Sequence, residues 1–176
     1  MQERDINFYL DAFLKLRRAT MQGVKAPHKP LLLLAIMKLI EDGVITHNKI
    51  ELSDFLIDCF KLLWKEYVDE GNEGGAVMLC EDLQLDISRK YPFKCSIENP
   101  FFYMQYEPFW ELIKSDSYVK RTNYSLKGLR SCFLYARIDQ QLFELMQDVN
   151  NVSSTNLFSC ILLTIMWLKE LCRSDT

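Results

Sequence analysis

Hydrophobic residues are densest between Ala26 and Ile40, a stretch that begins with a polar, proline-flanked segment. Residues 31–36 are all apolar, and a segment that is apolar on every side predicts a helix buried in the core. Pro30 suits the first turn of that helix, because the N–H that proline lacks has no intrahelical partner there. Gly43 is suited to end the helix. We therefore expect a central helix at the heart of the fold.

Helical periodicity continues on both sides of this central helix. Residues able to cap a helix N-terminus precede four further segments: Asp5 before residues 6–22, Ser53 before 54–69, Ser125 before 126–137 and Asp139 before 140–147. Gly23 is predicted to end the first of these, and a last helix is predicted from residue 154 or 155 to about 172. Residues 43–50 and 71–75 are predicted loops, whereas residues 76–98 fit a short helix or an edge strand.

Aromatic residues crowd the stretch 99–112, on both sides of a turn-like Glu107-Pro108 pair. They favour a small hairpin or an extended segment. The alternative is that the aromatic rings belong to the core, which we favour for Phe102, Phe109 and Trp110. The patterns together predict a mainly α fold of the α+β type, a single compact helical domain over residues 1–176 with a small two-stranded β element near 100–113.

The composition is that of a soluble globular protein, with 176 residues, 49% of them hydrophobic and 26% charged. The N-terminus lacks the apolar core of a signal peptide, and the apolar run at 160–168 is too short to span a bilayer. We therefore expect a cytoplasmic protein without a membrane partner. No two of the six cysteines form a CxxC pair and only two histidines exist, so we expect free thiols, no metal and no cofactor.

Charge is unevenly distributed, although the net charge is only −3. Residues 1–40 carry seven Lys and Arg against three Asp and Glu, and residues 118–147 carry five against two. The segment between them, 41–117, carries seven against sixteen. Two basic segments around an acidic middle can converge into one basic face that binds nucleic acid, or the charges can simply be solvated over the surface. The charge pattern leaves both possibilities open.

Three groups of residues are candidates for contact with phosphate. His28 and Lys29 lie at the predicted start of the central helix, the end that favours an anion. Arg17 and Arg18 lie in the last turns of the first predicted helix. Basic and polar side chains of the stretch 120–125 can contact the backbone of a nucleic acid: Lys120, Arg121 and Asn123. The alternatives are that His28 only caps its helix and that 120–125 is an ordinary surface loop.

The sequence Pro27-His28-Lys29-Pro30 followed by leucines resembles the DNA sulfur-binding domain of McrA-like type IV HNH restriction endonucleases. Such domains bind DNA in which sulfur replaces a non-bridging phosphate oxygen. The stretch 99–112, with Pro100 and Trp110, is similar to a second motif of that family, whose proline helps to form the hollow for the sulfur. The resemblance implies a sulfur pocket lined by Pro27, Pro100, Phe101 and Tyr103, with His28 and Lys29 beside the phosphate.

The family's nuclease domain has no counterpart in residues 1–176, where no His-Asn-His constellation stands at metal-ligand spacing. We therefore expect no enzymatic activity, but a module that binds phosphorothioate-modified double-stranded DNA in modification-dependent restriction. The alternative is a protein-interaction subunit that pairs with a separately encoded nuclease and has no sulfur specificity. In that case Tyr103, Met104 and Tyr106 are the expected exposed anchors.

Overall fold

The computed structural model describes residues 4–69, 92–148 and 157–162. Some predicted segments lie outside these residues: the loop at 71–75, most of the stretch 76–98 and both ends of the last helix. Residues 157–162 are helical, as expected for that last helix.

The described residues form helices and two antiparallel sheets. The helices are α1 (Ile6–Leu14), α2 (His28–Glu41), α3 (Asp54–Trp64), α4 (Glu98–Tyr103), α5 (Leu126–Cys132) and α6 (Gln140–Gln147). The strands are β1 (Thr20–Met21), β2 (Val24–Lys25), β3 (Lys49–Ile50), β4 (Trp110–Lys114) and β5 (Phe133–Ile138). A π-helical turn, Lys65–Asp69, extends α3, and a 3-10 turn, Met104–Tyr106, extends α4. The fold is mixed α+β, with more sheet than the sequence predicts.

Helix α2 is the buried centre of the fold, as predicted. Its residues from Lys29 to Ile40 are all buried except Lys38, and the helix packs against α3, α4 and α6. Pro30 lies in its first turn. Gly43 follows the helix with a φ of +70°, a left-handed conformation that suits glycine, and its N–H donates to the carbonyl of Ile40. The predicted helix end at Gly43 is confirmed.

Local capping also follows the sequence at three helix starts. The side chains of Asp5, Ser53 and Ser125 each accept the backbone N–H of the residue three positions on, at 3.0, 3.2 and 3.2 Å. The predicted N-caps of α1, α3 and α5 are therefore confirmed.

Asp139 precedes α6 as predicted, but its side chain does not cap the helix. Its Oδ2 atom instead accepts hydrogen bonds from Arg4 Nη1 at 2.5 Å and from the Tyr9 hydroxyl at 3.1 Å. These partners lie more than 100 residues away, so capping propensity alone gives no sign of them.

The predicted first helix, residues 6–22, is wrong in its second half, because α1 ends at Leu14. Strand β1 then pairs antiparallel with β2 around a two-residue turn. Both turn residues have positive φ, +53° at Gln22 and +80° at Gly23, the geometry that matches the twist of a tight hairpin. Gly23 therefore turns a hairpin and does not end a helix.

Two predicted elements differ because they depend on distant partners. The stretch near 100–113 is not a hairpin: Pro100 lies in the first turn of α4, where proline is tolerated, and only β4 is extended. The predicted helix 126–137 ends at Cys132, and the chain continues as β5. Strand β5 lies at the centre of a three-stranded sheet in the order β3-β5-β4, so pairing on both edges outweighs its helical pattern.

Candidate nucleic-acid interface

The start of α2 holds a buried ion pair. Lys29 Nζ lies 2.5 Å from Oε1 of Glu107, and the two side chains are only 9% and 5% exposed. The same Glu107 oxygen accepts the backbone N–H of Arg17 at 3.2 Å. The charge of Lys29 is therefore balanced inside the protein, and burial keeps its ammonium from the surface contact with phosphate that the sequence suggests.

The sequence did not indicate the role of Glu107. It ties the segment after α1 to α2 and to the turn before β4. The available signal was a lone acidic residue within the apolar stretch from Phe101 to Trp110. A single acidic residue before a proline is equally typical of an exposed turn, so that signal does not identify a buried partner.

His28, the first residue of α2, lies against aromatic rings. Its ring centre is 4.7 Å from that of Trp64 and 5.7 Å from that of Phe93. Nε2 lies 2.8 Å from the carbonyl oxygen of Lys94, which can only accept, so Nε2 carries the hydrogen. Burial lowers the pKa of His28, while this hydrogen bond opposes the shift.

The charge state of His28 decides what it can offer to an anion. A neutral ring protonated on Nε2 has a lone pair on Nδ1, which cannot donate a hydrogen bond to phosphate. His28 therefore positions the start of α2 through its ring contacts and its hydrogen bond to Lys94. A direct phosphate contact at Nδ1 requires a second proton, which burial disfavours.

The residues predicted to line a sulfur pocket divide into buried and exposed ones. Pro27, Pro100 and Phe101 are buried, and the Phe101 ring packs edge-to-face on Trp110 with 5.4 Å between centres. Tyr103 is 39% exposed. Pro100 and Tyr103 are three residues apart on α4, which makes them neighbouring positions on the helix.

Two exposed aromatic residues lie at the end of α4 and in the 3-10 turn that follows it. The rings of Tyr103 and Tyr106 lie 6.2 Å apart with 27° between their planes, and Tyr106 is 59% exposed. Met104, between them, is fully buried and anchors the 3-10 turn in the core. Met104 is therefore not the exposed anchor that the interaction hypothesis expects, whereas both tyrosines are open to solvent.

Both basic segments contact the stretch that carries these tyrosines. Arg17 is exposed, and its backbone is held by Glu107, the residue after Tyr106. Arg18 is half-buried beside it. In the second basic segment, the Tyr124 ring packs on Phe102 with 4.9 Å between centres.

The loop before α5 is held in a defined shape by Tyr124. Its hydroxyl donates to the carbonyl of Val119 at 2.9 Å and accepts the N–H of Arg121 at 3.0 Å. The side chains of Lys120, Arg121 and Asn123 are all exposed. We use the name tyrosine surface for the exposed rings of Tyr103 and Tyr106 taken together with exposed polar residues of the two segments that contact this stretch: Arg17, Lys120, Arg121 and Asn123.

Within the described ranges, no group of three or more His, Cys, Asp or Glu side chains stands close enough to hold a metal ion. Cys59, Cys95, Cys132 and Cys160 are free thiols. No helix in the described part of the chain has the length and apolar character needed to cross a membrane.

No protein-family model matches this sequence, and no curated protein matches it. The geometry of the tyrosine surface is therefore the basis for a functional assignment.

Proposed function

We propose that the chain binds double-stranded DNA through the sugar-phosphate backbone, using the tyrosine surface, and prefers a backbone that contains sulfur. The observation that supports this most is the contact of two basic segments with one aromatic stretch. Glu107 holds the backbone of Arg17, and Phe102 packs on Tyr124 of the loop that carries Lys120 and Arg121. The exposed rings of Tyr103 and Tyr106 stand on the segment between these two contacts.

Each part of the tyrosine surface has a physical role in this proposal. The guanidinium groups of Arg17 and Arg121 can each donate two parallel hydrogen bonds to one phosphate. Lys120 and Asn123 add a further charge and an amide donor. The rings of Tyr103 and Tyr106 offer flat apolar area for the deoxyribose edge, with hydroxyls at the rim.

We attribute the sulfur preference to the exposed aromatic ring of Tyr103. Sulfur in place of a phosphate oxygen is larger, softer and a weaker hydrogen-bond acceptor, so it loses little when it lies against an apolar ring. The exposed Tyr103 ring, which contacts the rings of Phe102 and Tyr106, is the wall that we assign to the sulfur. Pro27, Phe101, His28 and Lys29 stabilise the start of α2 and α4 in this proposal and do not touch the DNA.

The proposal is tested by fluorescence anisotropy on a short labelled duplex at several salt concentrations. The logarithm of the binding constant should fall with the logarithm of salt, by about 0.9 for each phosphate neutralised. Arg17→Ala, Lys120→Ala and Arg121→Ala should each weaken binding and flatten that slope. Lys38→Ala is the matched control, since Lys38 is an exposed lysine in the last turn of α2 and is not part of the tyrosine surface. An equal loss in the control, or no loss in any of the three, contradicts the assigned surface.

The second candidate function is the interaction subunit that pairs with a separately encoded nuclease. The exposed Tyr103 and Tyr106 favour it as well, because tyrosine is common among residues that dominate protein interfaces. The same titration separates the two functions. A chain that binds no duplex at low salt, where electrostatic attraction is strongest, leaves the interaction subunit as the better account.

A further inference from the structure

Helix α3 presents an apolar face to solvent on a different part of the molecule. Phe55 and Leu62 are each 69% exposed, more than any other large hydrophobic side chain in the described residues. They are seven residues apart, which is about two helical turns or 10 Å, and so share one face. Cys59 lies partly buried between them. Three side chains at helical spacing thus form one stripe.

This stripe is one wall of a groove between α2 and α3. The groove is open to solvent and has a volume of about 750 Å³, and Leu39 near the end of α2 and Leu63 of α3 contribute to its lining. A groove with an apolar lining between two packed helices has the shape in which an amphipathic helix of another protein can lie. The spacing of Phe55 and Leu62 fits a helix whose apolar residues recur every three or four positions.

The charged side chains around the groove favour a partner with positive charge. Glu41, Asp42, Asp58 and Glu66 line it against two ammonium groups, those of Lys38 and Lys65. All six side chains are exposed. The groove therefore carries an acidic excess beside an apolar stripe, which is complementary to a helix with leucines on one face and lysines or arginines along its edges.

We infer that the α2–α3 groove docks a basic amphipathic helix of a partner protein. The inference is independent of the DNA proposal, because none of the groove residues belongs to the tyrosine surface. A chain that binds DNA at one surface and a helix at another would recruit a second protein to the bound DNA. The occupant we commit to is a helix of a different chain with net positive charge.

The test uses the full chain and two labelled helical peptides that share the same leucine face. One peptide has lysine at its edge positions and the other has glutamate. The lysine peptide should bind about tenfold tighter, and its affinity should fall with salt. Phe55→Ser and Leu62→Ser should each weaken its binding about fivefold or more.

Leu14→Ser is the matched control, because Leu14 is 64% exposed on α1 and lies outside the groove. It should leave peptide binding unchanged. Melting temperatures should stay near that of the parent protein in all three variants, since each substituted side chain is mostly exposed. Equal affinity for both peptides, or binding insensitive to Phe55→Ser and Leu62→Ser, overturns the inference. Sedimentation that shows a dimer split by Phe55→Ser also overturns it, because a second copy then covers this face.

Discussion

Lys29 and Glu107 face one another inside the protein, and their pairing explains why the polar start of α2 can be buried. Removing two charges from water is unfavourable, and it is offset only when each charge meets the other with good geometry. Glu107 also accepts the N–H of Arg17, so one oxygen satisfies two donors from different segments. The pair therefore holds α2 and the segment between α1 and β1 against the turn before β4.

Substitution of Glu107 by Gln should destabilise the protein by about 3 kcal/mol, because it leaves the Lys29 ammonium buried without a counter-charge. Urea denaturation measures the free energy of unfolding. Lys29→Met combined with Glu107→Gln should lose less than the sum of the single losses, since the double variant buries no charge at this site. A Glu107→Gln variant that loses less than about 0.5 kcal/mol would show that the pair is open to water.

His28 should make stability depend on pH in a defined direction. Burial lowers its pKa below the ordinary 6.5, so the unfolded chain binds a proton at higher pH than the folded protein. Its contribution to the free energy of unfolding is complete above pH 6.5 and is lost progressively as pH falls below it. Denaturation at pH 7.5, 6.5 and 5.5 should show a smaller drop for His28→Gln than for the parent protein. Identical drops would place His28 in water.

The sequence indicates some of these residues and not others, for a physical reason. The position of His28 at the start of a buried helix is a local property, visible from the prolines around it. The partners of Lys29 and His28 are Glu107 and Lys94, more than 60 residues away. No local pattern encodes such pairings. The sequence therefore predicts that Lys29 binds an external phosphate, whereas in the structure Lys29 pairs with the carboxylate of Glu107.

Two glycines show how one substitution acts differently after the end of a helix and in the first turn of a helix. Gly43 follows α2 with a φ of +70°, which an alanine side chain disfavours. Gly128 lies within α5, and a Cβ there would meet Ser125 Oγ at 3.4 Å and a Tyr124 ring carbon at 3.8 Å, both ordinary contacts. Helical glycine leaves more backbone freedom in the unfolded chain than alanine does.

Gly43→Ala should therefore destabilise the protein by about 1 kcal/mol, and Gly128→Ala should stabilise it by about 0.5 kcal/mol. Differential scanning calorimetry of the two variants and the parent gives both signs in one experiment. A stabilising Gly43→Ala would mean that the end of α2 does not adopt the left-handed turn. A destabilising Gly128→Ala would mean that the Ser125 cap cannot accommodate the added methyl group.

At the level of helices and strands, the sequence predicts the features that depend on interactions between neighbouring residues. The caps at Asp5, Ser53 and Ser125 and the all-round burial of α2 depend on neighbouring residues, and they are confirmed. Strand β5 has the hydrophobic pattern of a helix, yet it pairs with β3 and β4, whose residues lie far away in sequence. The β1–β2 hairpin depends on positive φ at Gln22, a residue that rarely adopts it. The sequence alone therefore does not predict β5 and the β1–β2 hairpin, because both depend on the tertiary structure.

At the scale of the whole molecule, the two basic segments of the chain contact the same short stretch. Residues 1–40 and 118–147 are basic by sequence, and their segments at Arg17 and Tyr124 contact one stretch, 98–107. The acidic segment between them contributes the rim of the α2–α3 groove through Asp58 and Glu66. The proposed DNA-binding surface and the proposed helix-binding groove therefore consist of different residues.

The most direct test of the proposed function compares two duplexes that differ by a single sulfur atom in one phosphate, titrated with the full chain under the same salt. We expect the sulfur duplex to bind about tenfold tighter, which corresponds to about 1.4 kcal/mol. Tyr103→Ala should remove most of that preference while it retains salt-dependent binding to the unmodified duplex. Equal binding of both duplexes by the unsubstituted protein would contradict sulfur recognition.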